Sequence, residues 1–377
     1  MRIFFLTRGY PAAERLYNHA FVHRRVLAYR AAGHHVSVFW IKPKGEASVY
    51  AFDGVDVVVG GADACLAQIE AFAPDAVAAH AMDDDFWPVL SCLPSTLPVS
   101  AWIYGSEILP FFAVTENPAH DRVRAEKAAH IHQRRIAFWR SLVEDWPSSL
   151  KLVFASSYAA RAAAQAIGKP VPRQVVQPTG IDTSLFDYVE KPLDQRFKIL
   201  SVRPFSDWRY ANDQSVNAVL QLKEHHLFGA FRFHFFGDGR LFDEVLAPVR
   251  HLPNVTCERR FLRQEELALL HKQNGIFLCP SRDDAQGISR DEAMSSGLVP
   301  VVSRVGAVPE FVDESCGILV SPEDSAGLAA AIARIAEDAN MFATLSLRAA
   351  ARAVNTIAMD RVIEREIEIL KNGKSIQ

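Results

Sequence analysis

Short apolar runs alternate along this chain with longer segments of mixed polarity, and glycine, proline or polar residues bound most of the runs. Short runs rich in Val, Ile and Phe are typical of strands buried on both faces of a parallel sheet. The predicted strands occupy residues 3–6, 36–41, 55–59, 76–79, 99–103, 152–155, 174–177, 198–202, 231–236, 276–279 and 298–302. Helices are predicted at 13–32, 62–72, 119–146, 156–167, 264–273, 326–336 and 359–370. This alternation of strand and helix predicts an α/β protein.

The alternating pattern is interrupted by a charged segment at 188–196, which has no apolar period. We interpret this segment as a linker, because a new strand begins directly after it. The expected organisation is an N-terminal Rossmann-like domain over 1–187, a second Rossmann-like domain over 197–355, and a C-terminal helix within 356–377. A chain of 377 residues suits two domains of ordinary size. The pattern therefore predicts two doubly wound domains with a cleft between them.

Composition and charge exclude several classes of protein. Hydrophobic residues make up 49% of the chain and charged residues 23%, which is a globular composition. A net charge of −3 argues against a nucleic-acid partner bound through overall charge. The five cysteines are scattered, and we interpret them as buried free thiols in a reducing compartment. No apolar run reaches the roughly 18 residues of a membrane span, and the first residues lack the apolar core of a signal peptide, so a cytoplasmic location is expected.

Two carboxylates lie in the stretch 277–320, which has the order strand, polar loop, helix, strand. Asp284 lies in the loop and Glu292 in the helix, while Gly287 and Ile288 stand where the helix begins. Such a loop faces the ligand-binding edge of an α/β sheet, and the first N–H groups of the helix can bind phosphate. Glu292 could then accept hydrogen bonds from sugar hydroxyls. Alternatively, Asp284 is only a capping residue and Glu292 a solvated helix carboxylate.

Further residues suited to a phosphate ligand follow predicted strands. Arg203 and Arg209 come after the first strand of the second domain, where guanidinium groups would offer paired donors to a pyrophosphate. Gly237 begins a tight turn after a later strand, and Gly9 ends the first strand of the chain. Alternatively, the two arginines are solvated loop residues.

The stretch 277–320 resembles the signature of the retaining family 4 glycosyltransferases, which are of the group 1 type. The shared residues are, in order, Pro280-Ser281, Asp284, Gly287, Glu292-Ala293-Met294, Gly297, Pro300-Val301-Val302, Gly306, Pro309-Glu310, Gly317 and Val320-Ser321-Pro322. The turn Pro178-Thr179-Gly180-Ile181-Asp182 and Phe186 resembles the turn that closes the first domain of these enzymes. The resemblance covers residues 150–350 strongly and the N-terminal half mostly by pattern.

This resemblance implies the GT-B fold and the transfer of a sugar from a UDP- or GDP-type nucleotide donor, with no metal and no other cofactor. Arg203 and Arg209 would hold the donor diphosphate, and Gly9 would approach it from the first domain. Gly237 matches a glycine of the family's G-x-G turn, and backbone near Gly287 would approach the ligand closely. The C-terminal helix would cross back onto the first domain.

The resemblance also implies three catalytic candidates, namely Asp284, Glu292 and Tyr104. Glu292 would hold the ribose hydroxyls, and Asp284 would lie near the donor sugar. Two of these positions depart from the family pattern, because Asp284 stands where the family has Glu and Tyr104 where it often has His. For that reason no catalytic histidine can be assigned at that loop.

Basic residues are concentrated in two segments of the N-terminal half. The segment Arg15–Lys44 has no Asp or Glu and carries Arg15, Arg24, Arg25, Arg30, Lys42 and Lys44, and the helix at 119–146 carries Arg122, Arg124, Lys127, Arg134, Arg135 and Arg140. Both could be solvated faces. Alternatively, they suit a phosphorylated or lipid-linked saccharide acceptor at an anionic membrane surface, in cell-envelope polysaccharide or lipopolysaccharide assembly. The location would then be cytoplasmic and peripheral to the membrane.

Two other readings of the chain stay open from the sequence. The departures at Asp284 and Tyr104 are also consistent with a degenerate sugar-nucleotide-binding subunit without catalysis, and a GT-B nucleotide-sugar epimerase is a further alternative.

The acidic run Asp83-Asp84-Asp85 could suggest a metal site. Three consecutive carboxylates do not share one side of a strand or helix, so we predict a solvated cap there and no metal.

Overall fold

The computed structural model describes residues 1–44, 47–109 and 118–371, and the side chains of 118–125 and 128 lie outside this description. The described residues form two compact units. Unit 1 takes its described residues from 1–111, 123–180 and 359–377, and unit 2 is built on Ile181–Ala358. The boundary between unit 1 and unit 2 therefore lies at Gly180–Ile181, before the linker predicted at 188–196. The chain returns to unit 1 at Ala358–Met359, close to the boundary predicted at 355–356.

Each unit contains one sheet. The strands are β1 (Arg2–Thr7), β2 (His35–Ile41), β3 (Ser48–Phe52), β4 (Val55–Gly60), β5 (Ala76–His80), β6 (Val99–Ile103), β7 (Leu150–Phe154), β8 (Gln174–Val176), β9 (Lys198–Val202), β10 (Arg232–Gly237), β11 (Val255–Arg259), β12 (Ile276–Leu278), β13 (Val299–Ser303) and β14 (Ile318–Val320). In unit 1 the strand order is β3-β4-β2-β1-β5-β6-β7-β8, and in unit 2 it is β11-β10-β9-β12-β13-β14. All neighbouring strands are parallel except β3, which pairs antiparallel with β4. Both units are therefore Rossmann-like, as expected.

Helices connect the parallel strands. They are α1 (Ala20–Ala31), α2 (Ala62–Phe72), α3 (Trp87–Leu90), α4 (Pro118–Glu144), α5 (Ser157–Ile167), α6 (Asn212–Leu222), α7 (Phe242–Leu246), α8 (Gln264–Gln273), α9 (Ile288–Ser295), α10 (Val308–Phe311), α11 (Ser325–Glu337), α12 (Ala339–Ile357) and α13 (Met359–Lys371). Within the described part of the chain, no helix combines the length and the apolar composition needed to cross a membrane.

The C-terminal helix α13 belongs to unit 1. Its apolar residues Ile363, Ile367 and Leu370 are buried in the same core cluster as strand residues such as Phe5 and Trp102. A separate core in unit 2 packs α6 and α11 against the sheet. The end of the predicted segment 356–377 is outside the described residues, which stop at Lys371.

The strand order places one topological switch point in each unit. In unit 1 the switch point lies between β1 and β5, because β2 lies on one side of β1 and β5 on the other. In unit 2 it lies between β9 and β12, because β10 lies on one side of β9 and β12 on the other. Ligands of open α/β sheets bind outside the carboxyl ends of the two strands at such a point. The relevant residues are therefore those that follow β1 and β5 in unit 1, and those that follow β9 and β12 in unit 2.

The structure corrects several predicted elements. The first helix begins at Ala20 rather than near Ala13, because residues before it form turns and His19 adopts a left-handed conformation with φ 54°. The hairpin strand β3 and the helices α6 and α12 were not predicted. Cys92 is exposed and Cys257 is partly exposed, so only Cys65, Cys279 and Cys316 fit the expectation of buried thiols.

Candidate functional site

The candidate site in unit 2 begins where β9 and β12 end. Arg203 directly follows β9, and its backbone N–H donates to the carbonyl of Phe236, a residue of the neighbouring β10 (3.0 Å). Ser281 follows β12 on the other side of the switch point. The guanidinium Nη2 of Arg203 donates to Ser281 Oγ at 2.6 Å. Arg282 of the second loop adds further bonds, since its backbone N–H donates to the carbonyl of Arg209 at 2.9 Å and its Nη1 to the carbonyl of Trp208 at 2.7 Å, so the two loops that define the ligand-binding edge are joined.

Arg203 is a buried cation with unused donor capacity. Its side chain is 7% exposed, and its Nε finds no hydrogen-bond acceptor among the described residues. The guanidinium carbon lies 5.0 Å from the ring centroid of Tyr210, which is a cation–π distance. A buried guanidinium with an unpaired N–H is costly unless a ligand or water completes it, so Arg203 is suited to an anion.

Arg209 shares the same aromatic ring. Its guanidinium carbon lies 5.2 Å from the Tyr210 centroid, and its Nη2 donates to Tyr210 Oη at 3.4 Å. Burial lowers the pKa of Arg209, but Tyr210, Asp207 and Asp283 together raise it above its usual value. The side chain therefore stays charged. Tyr210 brings together the two arginines that the sequence predicted for a diphosphate.

Gly237 supports Arg203 rather than offering a separate contact. It has φ 154°, and a Cβ at this position would overlap the carbonyl oxygen of Arg203 and lie 2.9 Å from the Phe205 ring. Only glycine lets the end of β10 pass so close to the loop after β9. The role of Gly237 in the site is therefore to position that loop.

The loop before α9 carries Asp284, which is partly exposed. Its Oδ1 accepts a hydrogen bond from the backbone N–H of Gln286 at 3.0 Å within the loop, whereas the N-cap residue of α9 is Gly287 and no side chain caps that helix. Gly287 has φ 98°, and a Cβ there would lie 3.1 Å from Asp284 Oδ2 and 2.7 Å from Arg290 Nη1. Ile288 is the first residue of α9. The loop thus places a carboxylate and the N-terminus of a helix on the same edge.

Glu292 is buried in α9, with 4% of its surface exposed. Its Oε1 accepts a hydrogen bond from Gln264 Nε2 of α8 at 3.2 Å. The alternative interpretation as a solvated helix carboxylate is therefore wrong. A buried carboxylate on a helix next to the strand ends is a more specific acceptor for hydroxyl groups than a solvated one, because it is desolvated and held in place.

A buried ion pair that the sequence analysis missed supports this loop. Arg290 and Asp291 are 2% and 1% exposed, and Arg290 Nε donates to Asp291 Oδ1 at 3.0 Å. Gln286 Nε2 donates to the other carboxylate oxygen at 3.0 Å. Burial raises the pKa of Asp291 to about 6, although Arg290 and Gln286 act in the opposite direction. Gln286, Arg290 and Asp291 together hold the loop of Asp284 onto α9.

Unit 1 places Gly9 at its own switch point and Tyr104 at the end of the adjacent strand β6. Gly9 follows β1 and is buried, and the hydroxyl of Thr7 donates to its carbonyl at 2.9 Å. Tyr104 follows β6, and its hydroxyl forms a 2.7 Å hydrogen bond with Nδ1 of His80 at the end of β5. Burial raises the pKa of the Tyr104 phenol, so this group stays protonated.

His80 is a residue of this edge that the sequence analysis did not select. It is fully buried, its ring stacks on Trp102 with centroids 4.7 Å apart, and its Nε2 has no hydrogen-bond partner among the described residues. Burial lowers the pKa of His80, and Arg25 lowers it further, so the imidazole is neutral. Its position at the carboxyl end of a strand was a signal that the sequence already contained.

The acidic run and the basic segments of unit 1 are less solvated than expected. Asp83 is fully buried; it caps the backbone N–H of Asp85 and pairs with Arg8 and with Arg135 (3.2 Å). The prediction of a cap is confirmed, and that of a solvated cap is wrong for Asp83. Arg25 is also fully buried, so the first basic segment is not one solvated face. The side chains of Arg122 and Arg124 lie outside the described residues.

Comparison with protein families places the unit 2 site in context. Residues 196–338, which contain Arg203, Asp284 and Glu292, match the family Glycosyl transferases group 1. The matched segment is similar to a group 1 glycosyltransferase domain and makes up less than half of the chain.

Two curated proteins similar to part of this chain are glycosyl-transferring enzymes by name. An MMP alpha-(1->4)-mannosyltransferase of Mycolicibacterium hassiacum is 32% identical over 114 residues, which is 30% of this chain and 28% of the relative. The sulfoquinovosyl transferase SQD2 of Arabidopsis thaliana is 31% identical over 97 residues, 25% of this chain and 19% of the relative. The matched stretches therefore span less than a third of either relative.

Solved structures resemble the whole chain. A sucrose-phosphate synthase from Thermosynechococcus elongatus has a TM-score of 0.75 at 17% identity and covers 98% of both chains. Anabaena Alr3699/HepE in complex with UDP and glucose has a TM-score of 0.69 at 17% identity, covering 98% of this chain and 99% of that one. WaaG, a glycosyltransferase involved in lipopolysaccharide biosynthesis, has a TM-score of 0.68 at 16% identity, with 99% and 100% covered. These likenesses show that the chain has the GT-B fold.

Proposed function

We propose that this protein is a retaining, metal-independent glycosyltransferase that moves a sugar from a nucleotide-sugar donor to a hydroxyl of a saccharide or lipid-linked acceptor. The observation that carries the proposal is the pair of arginines on Tyr210 at the switch point of unit 2. They lie on the edge that also carries the N-terminus of α9 and the carboxylate of Asp284. A diphosphate with a sugar attached is the ligand class that needs both features.

The chemistry follows from where charge develops. When the bond between the sugar and the diphosphate breaks, negative charge grows on the leaving phosphate. Arg203 and Arg209 are charged, partly or fully buried, and fixed before the reaction, so they would stabilise that charge without reorganisation. In this proposal Glu292 accepts from ribose hydroxyls and Asp284 lies beside the donor sugar. Two fixed cations can supply the electrostatic stabilisation that a metal ion would otherwise provide.

The nucleotide and the acceptor rest on the comparisons. The Anabaena relative is described with UDP, with UDP and glucose, and with UDP-glucose, which supports a UDP-type donor. The likeness to WaaG supports a role in building cell-envelope polysaccharide or lipopolysaccharide. We place the acceptor on unit 1, at the inner face of the cell membrane.

The test starts with donor binding. The full chain is screened by thermal unfolding against UDP-, GDP- and CDP-sugars, because a ligand that binds only the folded state raises the unfolding temperature. We expect a rise with a UDP-sugar that is lost in Arg203→Met. The matched control is Arg304→Met, because Arg304 follows the neighbouring strand β13 and is exposed in a surface ion pair with Glu314. This control should keep the full rise.

Turnover is then measured by UDP release and by NMR of the sugar product. A retaining enzyme yields a product with the anomeric configuration of the donor. A chain that binds the donor but never releases UDP with saccharide or lipid-linked acceptors would be a binding subunit instead. If no nucleotide-sugar raises the unfolding temperature, the proposal is wrong.

A further inference from the structure

Two adjacent histidines and a glutamate lie together in unit 2, away from the predicted donor residues. His225 and His226 stand just after the end of α6 at Leu222, and Glu337 is the last residue of α11. The helices α6 and α11 pack against each other, so their ends are neighbours. This cluster takes no part in the function proposed above.

The geometry of the cluster is that of a small chelating group. His225 Nε2 lies 3.2 Å from Glu337 Oε1, and the centroids of the two imidazole rings are 4.5 Å apart. One ligand atom from each of the three residues lies within 4.8 Å of the others. His225 is half-buried, whereas His226 and Glu337 are exposed and open to solvent ions. Within the described part of the chain, no other group of three His, Cys, Asp or Glu residues comes this close.

We propose that His225, His226 and Glu337 bind a divalent transition-metal ion of the Zn²⁺ type. Imidazole nitrogens with one carboxylate oxygen suit Zn²⁺, whereas Mg²⁺ and Ca²⁺ prefer all-oxygen sites. Three protein ligands leave a fourth position for water in a tetrahedral arrangement. Ligand atoms on a tetrahedral Zn²⁺ are roughly 3.3 Å apart, so the two exposed side chains need only a small rotation to reach it.

The local electrostatics favour a cation at this place. Glu337 puts a carboxylate at the C-terminal end of α11, where the helix already carries partial negative charge and Arg334 of the same turn supplies one cation. Asp338 adds a second carboxylate, which caps the backbone N–H of Met341 at the start of α12. A metal ion would offset the remaining negative charge. Nδ1 of His225 accepts a long 3.3 Å hydrogen bond from Leu227 N–H. When the metal binds Nε2, the ring proton moves to Nδ1, and this weak hydrogen bond is lost.

The expected consequence is a clamp between two helices of unit 2. A metal ion held by residues from the ends of both α6 and α11 stabilises only the folded state, since the unfolded chain does not hold the three ligands together. Binding should weaken at acidic pH, because protons compete for the imidazole nitrogens.

The experiment uses the full chain after treatment with EDTA and dialysis. Zn²⁺ is titrated by calorimetry, and thermal unfolding is recorded with and without Zn²⁺. We expect one Zn²⁺ per chain with a Kd on the order of 10 μM, and a rise of several degrees in unfolding temperature that EDTA reverses. His226→Ala and Glu337→Gln should each weaken binding by at least about tenfold. Both residues are exposed, so neither change should prevent folding.

His234 provides the matched control. Its Nε2 lies 2.8 Å from Glu258 Oε1, which reproduces a histidine–glutamate pair without a third ligand. His234→Ala should bind Zn²⁺ like the unchanged protein. The proposal is overturned if the unchanged protein binds no Zn²⁺ at about 0.1 mM, or if the control loses as much affinity as the two cluster variants.

Discussion

The buried ion pair between Arg25 and Glu366 offers the sharpest test of how unit 1 is built. Arg25 lies in α1 and Glu366 in α13, and both side chains are fully buried. Arg25 Nε donates to Glu366 Oε1 at 3.0 Å, and the hydroxyl of Tyr29 donates to Oε2 at 3.0 Å. Burial lowers the pKa of Arg25, but Glu366 raises it above its usual value, so the guanidinium keeps its charge.

The magnitude follows from what Glu366→Ala leaves behind. Arg25 would remain buried with Thr179 Oγ1 as its hydrogen-bonding neighbour (3.1 Å) and no counter-charge, and Tyr29 would lose its acceptor. Breaking a buried pair by removing one partner costs about 3–5 kcal/mol. Typical domains have about 5–15 kcal/mol of stability, so this single change should remove a large part of it. Removing both charges in Arg25→Met/Glu366→Leu leaves no unpaired charge and should recover most of the loss.

Urea unfolding of the full chain, followed by circular dichroism, measures these differences, and hydrogen exchange of α1 and α13 locates them. We expect the single variant to lose protection in both helices. If Glu366→Ala stays within about 1 kcal/mol of the unchanged protein, the pair is not a buried ion pair in solution. If the double variant is as unstable as the single one, the loss comes from packing rather than from charge.

Two further predictions concern unit 2. Asp284→Asn keeps the oxygen that accepts from Gln286 N–H but removes the charge beside the proposed donor sugar. The rate of UDP release should therefore fall by about 10²-fold or more, while the unfolding temperature changes little. Equal turnover of the Asn variant and the unchanged protein would refute the role of Asp284. His271 is fully buried, and burial lowers its pKa from 6.5 to about 3. Since the unfolded state binds the proton that the folded state rejects, His271 should cost about 2 kcal/mol of stability as the pH falls from 6.5 to 5. Urea unfolding at the two pH values should show a smaller loss for His271→Leu, and parallel losses would contradict the shift.

The central strands were predictable because their burial comes from their own sequence. The predicted strands at 99–103 and 198–202 match β6 and β9, and both are short apolar runs in the middle of a sheet. A strand covered on both faces must be apolar throughout, so its composition alone reveals it. The helices at 62–72 and 264–273 were predicted equally well, as they lie between such strands.

The edge hairpin has a local sequence signal, although β3 was not among the predicted strands. Strands β3 and β4 are joined by Asp53-Gly54, and both residues have positive φ, at 45° and 72°. An Asp-Gly pair between two strand-like segments is a strong hairpin signal. β3 was missed because it is a half-exposed edge strand, so it lacks the continuous apolar run of the central strands.

The pairing of distant charges could not be predicted from local pattern. Arg25 and Glu366 are far apart in the sequence, and the local pattern around each predicts an ordinary polar residue on a helix surface. Likewise, Arg290 and Asp291 look like solvated residues of α9, yet both are buried. Burial of a charged side chain depends on which other element packs over it, and that information belongs to the tertiary structure.

The buried pair Arg290–Asp291 explains how Asp284, which is shorter than Glu, can occupy the first acidic position of the unit 2 site. Asp284 reaches less far than Glu, so its placement depends on the backbone of the loop rather than on side-chain freedom. Hydrogen bonds within the loop and to α9 fix that backbone. Asp284 accepts from the backbone N–H of Gln286, the side chain of Gln286 donates to Asp291, and Asp291 accepts from Arg290. A carboxylate positioned in this way lies at one defined place on the edge. The change from Glu to Asp is therefore compatible with a functional donor site.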